Sequence, residues 1–240
     1  GYALCNSIVD NIKYSHHVIE LSSFQLETIK NFEPKISILL NLSRDHLNRY
    51  KSLKTYISAK KNIFNKKSKN INLISLDDEY SKRIFYNKKI NNKISFSIKN
   101  VQADIYYEKG YIVDHFFYKH KKIILSEFSV DLNSTCNIQN ILAAYIVCKY
   151  LRIPIKFFNQ SIKNFKGLPY RSSVIYNSKS KIIINNSKAT NISSAISTLD
   201  NNKDKCSAEV QFTMAVAYLM PVYSDTFFSN SIIDSPTLDT

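Results

Sequence analysis

Three short apolar runs, "HVIEL" (His17–Leu21), "KISILLNL" (Lys35–Leu42) and "INLISL" (Ile71–Leu76), are separated by amphipathic segments. This alternation constrains the fold more than any other feature of the chain. Short apolar runs without period suit strands buried on both faces, and the segments between them suit covering helices. "FQLETIK" (Phe24–Lys30) reads as a short helix, and "SLKTYISAKKNIFNKK" (Ser52–Lys67) as a longer one with Leu53, Tyr56, Ile57, Ile63 and Phe64 at helical spacing. Strand–helix alternation of this kind indicates a mostly parallel sheet with flanking helices.

The pattern changes between Lys93 and Val130. "KISFSI", "ADIYYEKGYIVD" and "KKIILSEFSV" read as β-hairpins, with "EKG" as one turn, so a smaller antiparallel portion is expected. "NIQNILAAYIVCKYL" (Asn137–Leu151) then carries a helical apolar stripe, and Pro154 opens a further helix ending near Phe165. "GLPYR" (Gly167–Arg171) has the composition of a hinge. After it, "SSVIY" and "KIIIN" read as strands and "TNISSAISTL" as a helix, the start of a second α/β unit. The expected organisation is an α/β domain over residues 1–166, a partial second α/β domain over 167–200 and a divergent tail over 201–240.

With 44% hydrophobic residues, 16 Tyr and 14 Phe, a chain of 240 residues can build a core and is not disordered. No apolar run is long enough to span a bilayer, and no basic segment followed by an apolar one marks a signal peptide. Cys5, Cys136, Cys148 and Cys206 show no metal-ligand spacing and fit reduced thiols in a cytoplasmic protein. The formal charge of +14 raises nucleic acid as a partner. Lys is spread along the chain among abundant Asn, Ile and Tyr, however, and a solvated helix end explains the densest run, "KKNIFNKKSKN". The three glycines, Gly1, Gly110 and Gly167, are few against a usage of about 7%. None of them begins a G-x-x-x-x-G-K-[ST] phosphate loop.

In an open α/β sheet, ligands sit beyond the carboxyl ends of the strands. The first run delivers Glu20 there, and a buried carboxylate is costly unless it is paired or holds a cation. An edge strand with Glu20 in water is the plainer alternative. The second run delivers "NLSRDHLNRY", with Asp45 and His46 just past it. If the first two runs pair in parallel, Glu20 and His46 meet at one rim, where a carboxylate and an imidazole can bind a divalent cation. Taken alone, His46 also reads as a helix-capping or surface histidine, and Lys60 as a surface lysine beside Lys61.

The ordered set "ELSSFQLE", "ILLNLSRDHLNRY", "YISAKKNIF", "CNIQNILAA" and "FKGLPYRSSVIY…IIINNSKATN" closely resembles the Mur ligases, and within them the branch that adds D-glutamate. The resemblance runs from about Gly1 to Leu199. "SSFQL" takes the place of the glycine-rich run of the related folylpolyglutamate synthases. The resemblance implies an ATP-dependent ligase of peptidoglycan precursor synthesis. ATP phosphorylates the carboxylate of UDP-N-acetylmuramoyl-L-alanine to an acyl phosphate. The amine of D-glutamate attacks it, and phosphate leaves. Both transferred group and oxyanion are anionic, so cations and fixed donors do most of the work.

The resemblance also implies roles. Glu20 and His46 hold magnesium, and Lys60, the lysine of Y-x-x-A-K, is carbamylated to a carboxylate-like group that helps place the ion. Ser22, Ser23 and Gln25 face the UDP-sugar substrate. Asn137, Asn140, Arg171 and Asn186 approach ATP, with Asn140 at the adenine and Arg171 at the phosphates. Lys188 and Thr190 lie near the incoming amino acid and the reacting centre. The chain departs from the family pattern at Ser134-Thr135-Cys136-Asn137, which replaces G-x-H-N. Tyr170 replaces a histidine, and Asn186 replaces an aspartate. The match opens at the last glycine of the family's G-N-I-G stretch, so the first domain and its P-loop are expected to lie outside this chain. The isolated chain is accordingly expected to be inactive. The alternative functions are a non-catalytic remnant and, behind it, a basic nucleic-acid-binding domain.

Overall fold

The computed structural model describes residues 4–9, 13–64, 70–119, 121–124, 135–178, 182–189, 195–196 and 198–199. Between a short helix α1 (Leu4–Val9) and α2 (Ser23–Thr28), residues 13–22 form neither helix nor strand. Six strands then form one sheet in sequence order: β1 (Ile36–Leu39), β2 (Ile71–Ser75), β3 (Lys93–Ser97), β4 (Ile105–Glu108), β5 (Tyr111–Asp114) and β6 (Lys121–Ile124). Helices α3 (Leu53–Lys61) and α4 (Glu79–Phe85) lie between strands, and α5 (Thr135–Tyr150) and α6 (Ile155–Asn164) follow. A separate antiparallel pair, β7 (Ser173–Asn177) and β8 (Ile182–Asn185), comes after the Gly167 segment.

The first four strands pair in parallel, and β4, β5 and β6 pair antiparallel. The mostly parallel α/β architecture with a smaller antiparallel part is therefore as the sequence implies. β2 is buried along its whole length because helices cover both faces of the sheet. Ile71 and Leu73 pack with α5 residues Leu142, Tyr145 and Ile146, while Ile74 faces Tyr56 and Ala59 of α3 and Ile84 of α4. On α5, Ile138, Ile141, Leu142, Tyr145 and Ile146 are all buried, at the spacing that makes one continuous helical stripe. Phe158 of α6 closes over Tyr145 with its ring edge-on, centroids 5.7 Å apart.

Two expectations are corrected. His17–Leu21 is not a strand, so no parallel pairing joins it to β1. Val18 is 98% exposed and Glu20 also faces solvent. The physical reason is that a short apolar run becomes a strand only with a ladder partner and cover on its faces. Among the described residues β1 pairs with β2 alone, on its inner side. The second correction concerns "KISFSI", which is not part of a hairpin. It forms β3, parallel to both β2 and β4. A parallel connection ordinarily needs a dozen residues or more. Here β4 starts beside the end of β3, pairing only as Phe96 with Ile105 and Ser97 with Tyr106, so the chain needs to double back very little. Asp104 fixes this loop by accepting from the Ser95 amide at 2.8 Å and its hydroxyl at 2.7 Å.

The β4–β5 hairpin turns through Lys109 and Gly110, both left-handed at φ 44° and 86°, as a two-residue turn matched to strand twist demands. The tail over 201–240, most of "TNISSAISTL" and most of "KKIILSEFSV" lie outside the described residues. No helix among the described residues is long and apolar enough to cross a membrane.

Candidate functional site

Two short helices and one loop meet at one end of the sheet. α2 begins at Ser22, whose hydroxyl accepts from the Gln25 amide at 3.2 Å while the Gln25 side chain accepts from the Ser22 amide at 2.9 Å. That reciprocal pair is a capping box, and it satisfies donors the helix itself leaves open. α3 starts with the same device, Ser52 with Thr55. Asn62, at the end of α3, donates to the Leu26 carbonyl at 2.9 Å and ties the two helices together. Leu26 is buried beneath them.

The loop after β1 carries Asp45 and His46. His46 sits at φ 54°, and its carbonyl accepts from the amides of Arg49 and Tyr50 at 3.0 Å each. A non-glycine residue in this region is uncommon, and such conformations persist where surrounding bonds fix them. Its amide also donates to the Asp45 carboxylate at 2.8 Å. The imidazole is thereby held against Phe24, with centroids 5.0 Å apart, and 6.4 Å from the buried ring of Tyr56. Phe24 and Tyr50 stack with planes 2° apart, and the Arg49 guanidinium lies 6.0 Å from the Phe24 centroid.

Lys60 lies on the other side of Tyr56, its Nζ 5.9 Å from the ring centroid. Burial pushes the Lys60 ammonium below the usual lysine range, and the carboxylates of Glu20 and Asp45 act on it in the opposite sense. Burial, reinforced by Asp45, raises the Tyr56 hydroxyl. Thus His46 and Lys60 both lie about the Tyr56 ring, Asp45 sits beside His46, and the charges of Glu20 and Asp45 act on Lys60. The sequence placed Glu20 at the end of a strand adjacent to that preceding His46, whereas in the structure Glu20 lies on an exposed segment that is neither strand nor helix.

Among the described residues no three His, Cys, Asp or Glu side chains form a ready-made metal cage. The donor set still fits magnesium on one condition. Glu20 and Asp45 offer the oxygen ligands a hard cation takes, but the Lys60 ammonium on which both act would repel it. A carbamate on Lys60 would reverse that sign, and a lysine with a lowered pKa holds more of the neutral amine that takes up carbon dioxide.

The proposed substrate residues are differently placed. Ser22 and Gln25 are exposed but already partner each other. Ser23 is 1% exposed and its hydroxyl has no partner, so it faces the interior of the protein. On α5, Asn137 is half-buried and Asn140 exposed, flanking the buried Gln139. Arg171, Asn186 and Lys188 gather at one end of the β7–β8 pair. The Lys188 amide donates to the Tyr170 carbonyl at 3.1 Å, and the Asn186 side chain accepts from the Ser172 amide at 3.2 Å. Arg171 and Lys188 are exposed. Thr190 lies outside the described residues. The acids after β2, Asp77 and Asp78, carry much of the rim's hydrogen bonding and were not singled out from sequence. The available signal was an acidic pair directly following a buried strand.

Comparison with known proteins agrees with this geometry. The family described as the Mur ligase middle domain matches residues 3–148. A UDP-N-acetylmuramoylalanine–D-glutamate ligase of Clostridioides difficile is 34% identical over 203 residues, 82% of this chain and 44% of that protein. The ligase of the same name from Buchnera aphidicola is 36% identical over 197 residues, 81% of this chain and 43% of that protein. The chain thus spans less than half the length of these relatives. A solved UDP-N-acetylmuramoyl-L-alanyl-D-glutamate–2,6-diaminopimelate ligase superposes with a TM-score of 0.56 at 21% identity, over 79% of this chain and 40% of that one, which shows the shared fold. With its described α/β body and its rim motifs falling inside that match, the chain belongs to the Mur ligase family.

Proposed function

We propose that this chain supplies the metal-side and part of the nucleotide-side machinery of a cytoplasmic, ATP-dependent ligase that joins D-glutamate to UDP-N-acetylmuramoyl-L-alanine. The observation that carries the reading is the placement of His46 and Lys60 about the Tyr56 ring, with Asp45 beside His46 and the charges of Glu20 and Asp45 acting on Lys60. Its placement on strands and helices that match D-glutamate-adding relatives supports the choice of amino acid.

Magnesium bound there would neutralise charge on the phosphoryl oxygens during acyl-phosphate formation. Glu20 and a carbamylated Lys60 would hold it. Backbone bonds fix the His46 turn, and its imidazole packs against Phe24. Asn137 and Asn140 present amides, which suit an adenine edge, from the first turns of α5. Arg171 suits phosphate through its planar fork of donors, and Lys188 and Thr190 suit the anionic reacting centre. The phosphate-cradling loop is not among these 240 residues.

The test is a chimera in which residues 1–199 replace the matching segment of the C. difficile relative. The expected result is phosphate release that requires D-glutamate, with Lys60→Ala lowering it by about 100-fold or more, the scale of a transition-state electrostatic contact. A folded chimera that ligates another amino acid, or one indifferent to Lys60→Ala, overturns the reading.

A further inference from the structure

At the exit of β2, Asp77 receives hydrogen bonds from three elements. One carboxylate oxygen accepts from the Ser97 hydroxyl at the end of β3 and from the Ile98 amide at 3.0 Å. The other accepts from the Ser75 hydroxyl at 3.1 Å and from the Gln139 amide group of α5 at 2.9 Å. Gln139 is 5% exposed, although it lies between two helix residues assigned to nucleotide. Its Nε2 also donates to the Ser75 hydroxyl at 2.9 Å, and its Oε1 accepts from Asn41 Nδ2 at 3.1 Å. Asn41 opens the loop that carries Asp45 and His46. Next door, Asp78 caps α4 through the Ser81 amide at 2.8 Å and accepts from the Leu42 amide at 3.0 Å, anchoring that same loop.

We infer that Asp77 and Gln139 are positioning residues: a bridge from α5 through Asn41 to the His46 loop that keeps the nucleotide-side helix and the metal-side loop in register. The inference rests on the ligase reading only for what is being positioned. The bridge has a donor–acceptor polarity. Asp77 can only accept, so Gln139 must turn its Nε2 inward, which leaves Oε1 for Asn41. Reading the polarity in reverse gives an equally complete network. Asn at 77 keeps an oxygen for Ser97 and Ile98 and offers an amide inward. Glu at 139 accepts that amide with one oxygen and Asn41 with the other. Each single change breaks the match. Asp77→Asn sets its new amide against Gln139 Nε2, a mismatch that only turning the Gln139 and Asn41 amides over together relieves. Gln139→Glu sets two carboxylates together.

The experiment compares the full chain with Asp77→Asn, Gln139→Glu and the double variant by amide hydrogen exchange. Gln139→Glu is expected to speed exchange at Leu42, Arg49 and Tyr50 and in the first turns of α5 by about tenfold, and Asp77→Asn to do so by less, while Ile112 and Val113 on β5 keep their rates. The double variant is expected to restore wild-type rates at both places. A loop whose exchange does not respond to Gln139→Glu, or a double variant no better than the worse single one, overturns the inference. The ligase reading is tested separately, in the residues 1–199 chimera. Because the phosphate loop is not in this chain, ATP indifference of the chain decides nothing about the ligase reading. A chimera that releases no phosphate while exchange in the chain follows the swap supports the bridge and counts against the ligase reading alone.

Discussion

The Tyr145 hydroxyl donates to the Asp114 carboxylate at 2.6 Å, with both residues fully buried. The bond joins α5 to the end of β5, in the cross-sheet row Ser75–Phe96–Ile105–Asp114 whose first residue Gln139 contacts. Asp114 also accepts from the amides of Phe116 at 3.0 Å and Phe117 at 2.8 Å, so its charge is held by three donors. Tyr145→Phe removes one of them and is expected to cost about 1.5–3 kcal/mol, the range for hydrogen bonds to charged groups. Urea titration measures it.

The same pair gives a pH dependence. Burial, then the bond to Asp114, raises the Tyr145 hydroxyl above its ordinary value. The unfolded chain releases this proton near pH 10 and the folded chain retains it, so the contribution is complete below about pH 10 and is lost as pH rises beyond it. Stability of the wild-type chain is expected to fall above about pH 10, and that of Tyr145→Phe to fall less steeply.

Lys60 behaves in the opposite sense, because its folded value is lowered. Between that value and the ordinary lysine range the unfolded chain binds more protons, so this group's contribution makes stability rise with pH. Carbamylation needs the neutral amine, whose fraction grows about tenfold per pH unit below the pKa. With labelled bicarbonate, a carbamate carbon signal is expected to strengthen from pH 7 to pH 9 and to be missing in Lys60→Gln. An equal signal in that variant would assign the modification elsewhere.

At the β4–β5 turn, Lys109 holds φ 44° without the tolerance that Asn brings to this region. Lys109→Asn is expected to stabilise the chain by a few tenths of a kcal/mol up to about 1 kcal/mol, and Gly110→Ala to destabilise it by about 1 kcal/mol or more. Thermal melts of the two variants test the pair of signs.

The 240-residue chain alone is expected to release no phosphate from ATP in the presence of magnesium, UDP-N-acetylmuramoyl-L-alanine and D-glutamate. Phosphoryl transfer needs backbone donors and a lysine around the β- and γ-phosphates, and no G-x-x-x-x-G-K-[ST] segment occurs in it. Turnover abolished by Lys60→Ala would refute this and make the chain an enzyme in its own right.

What the sequence made legible was local. β2 was readable because its apolar run is continuous, α5 because its stripe keeps helical period, and the β4–β5 turn because "EKG" demands a tight reversal. What it hid was partnership. "HVIEL" has the composition of a strand, but composition does not report whether a neighbouring ladder exists, and Val18 lies in solvent. "KISFSI" looked like half of a hairpin because the stagger that permits so short a parallel connection is visible only in the register of Phe96 on Ile105. The same holds at the rim. Lys60 was identified by its motif, but its lowered basicity comes from burial, which no spacing reveals. Gln139 looked like one more polar residue on a helix until Asp77 and Asn41 were found on either side of it.

The Ser22–Gln25 capping box places a toll on any ligand at this mouth. The Ser22 hydroxyl and the Gln25 side-chain oxygen already use their hydrogen bonds to close the first turn of α2. A sugar hydroxyl that takes either one exchanges a bond rather than adding one, and it loosens a helix of six residues as it does so. Affinity here would then be governed by how well the guest itself replaces the cap. A ligand offering an acceptor to the Gln25 amide would leave the turn wound, whereas one offering only donors would unwind it. Selectivity at this entrance would be written in the winding of α2.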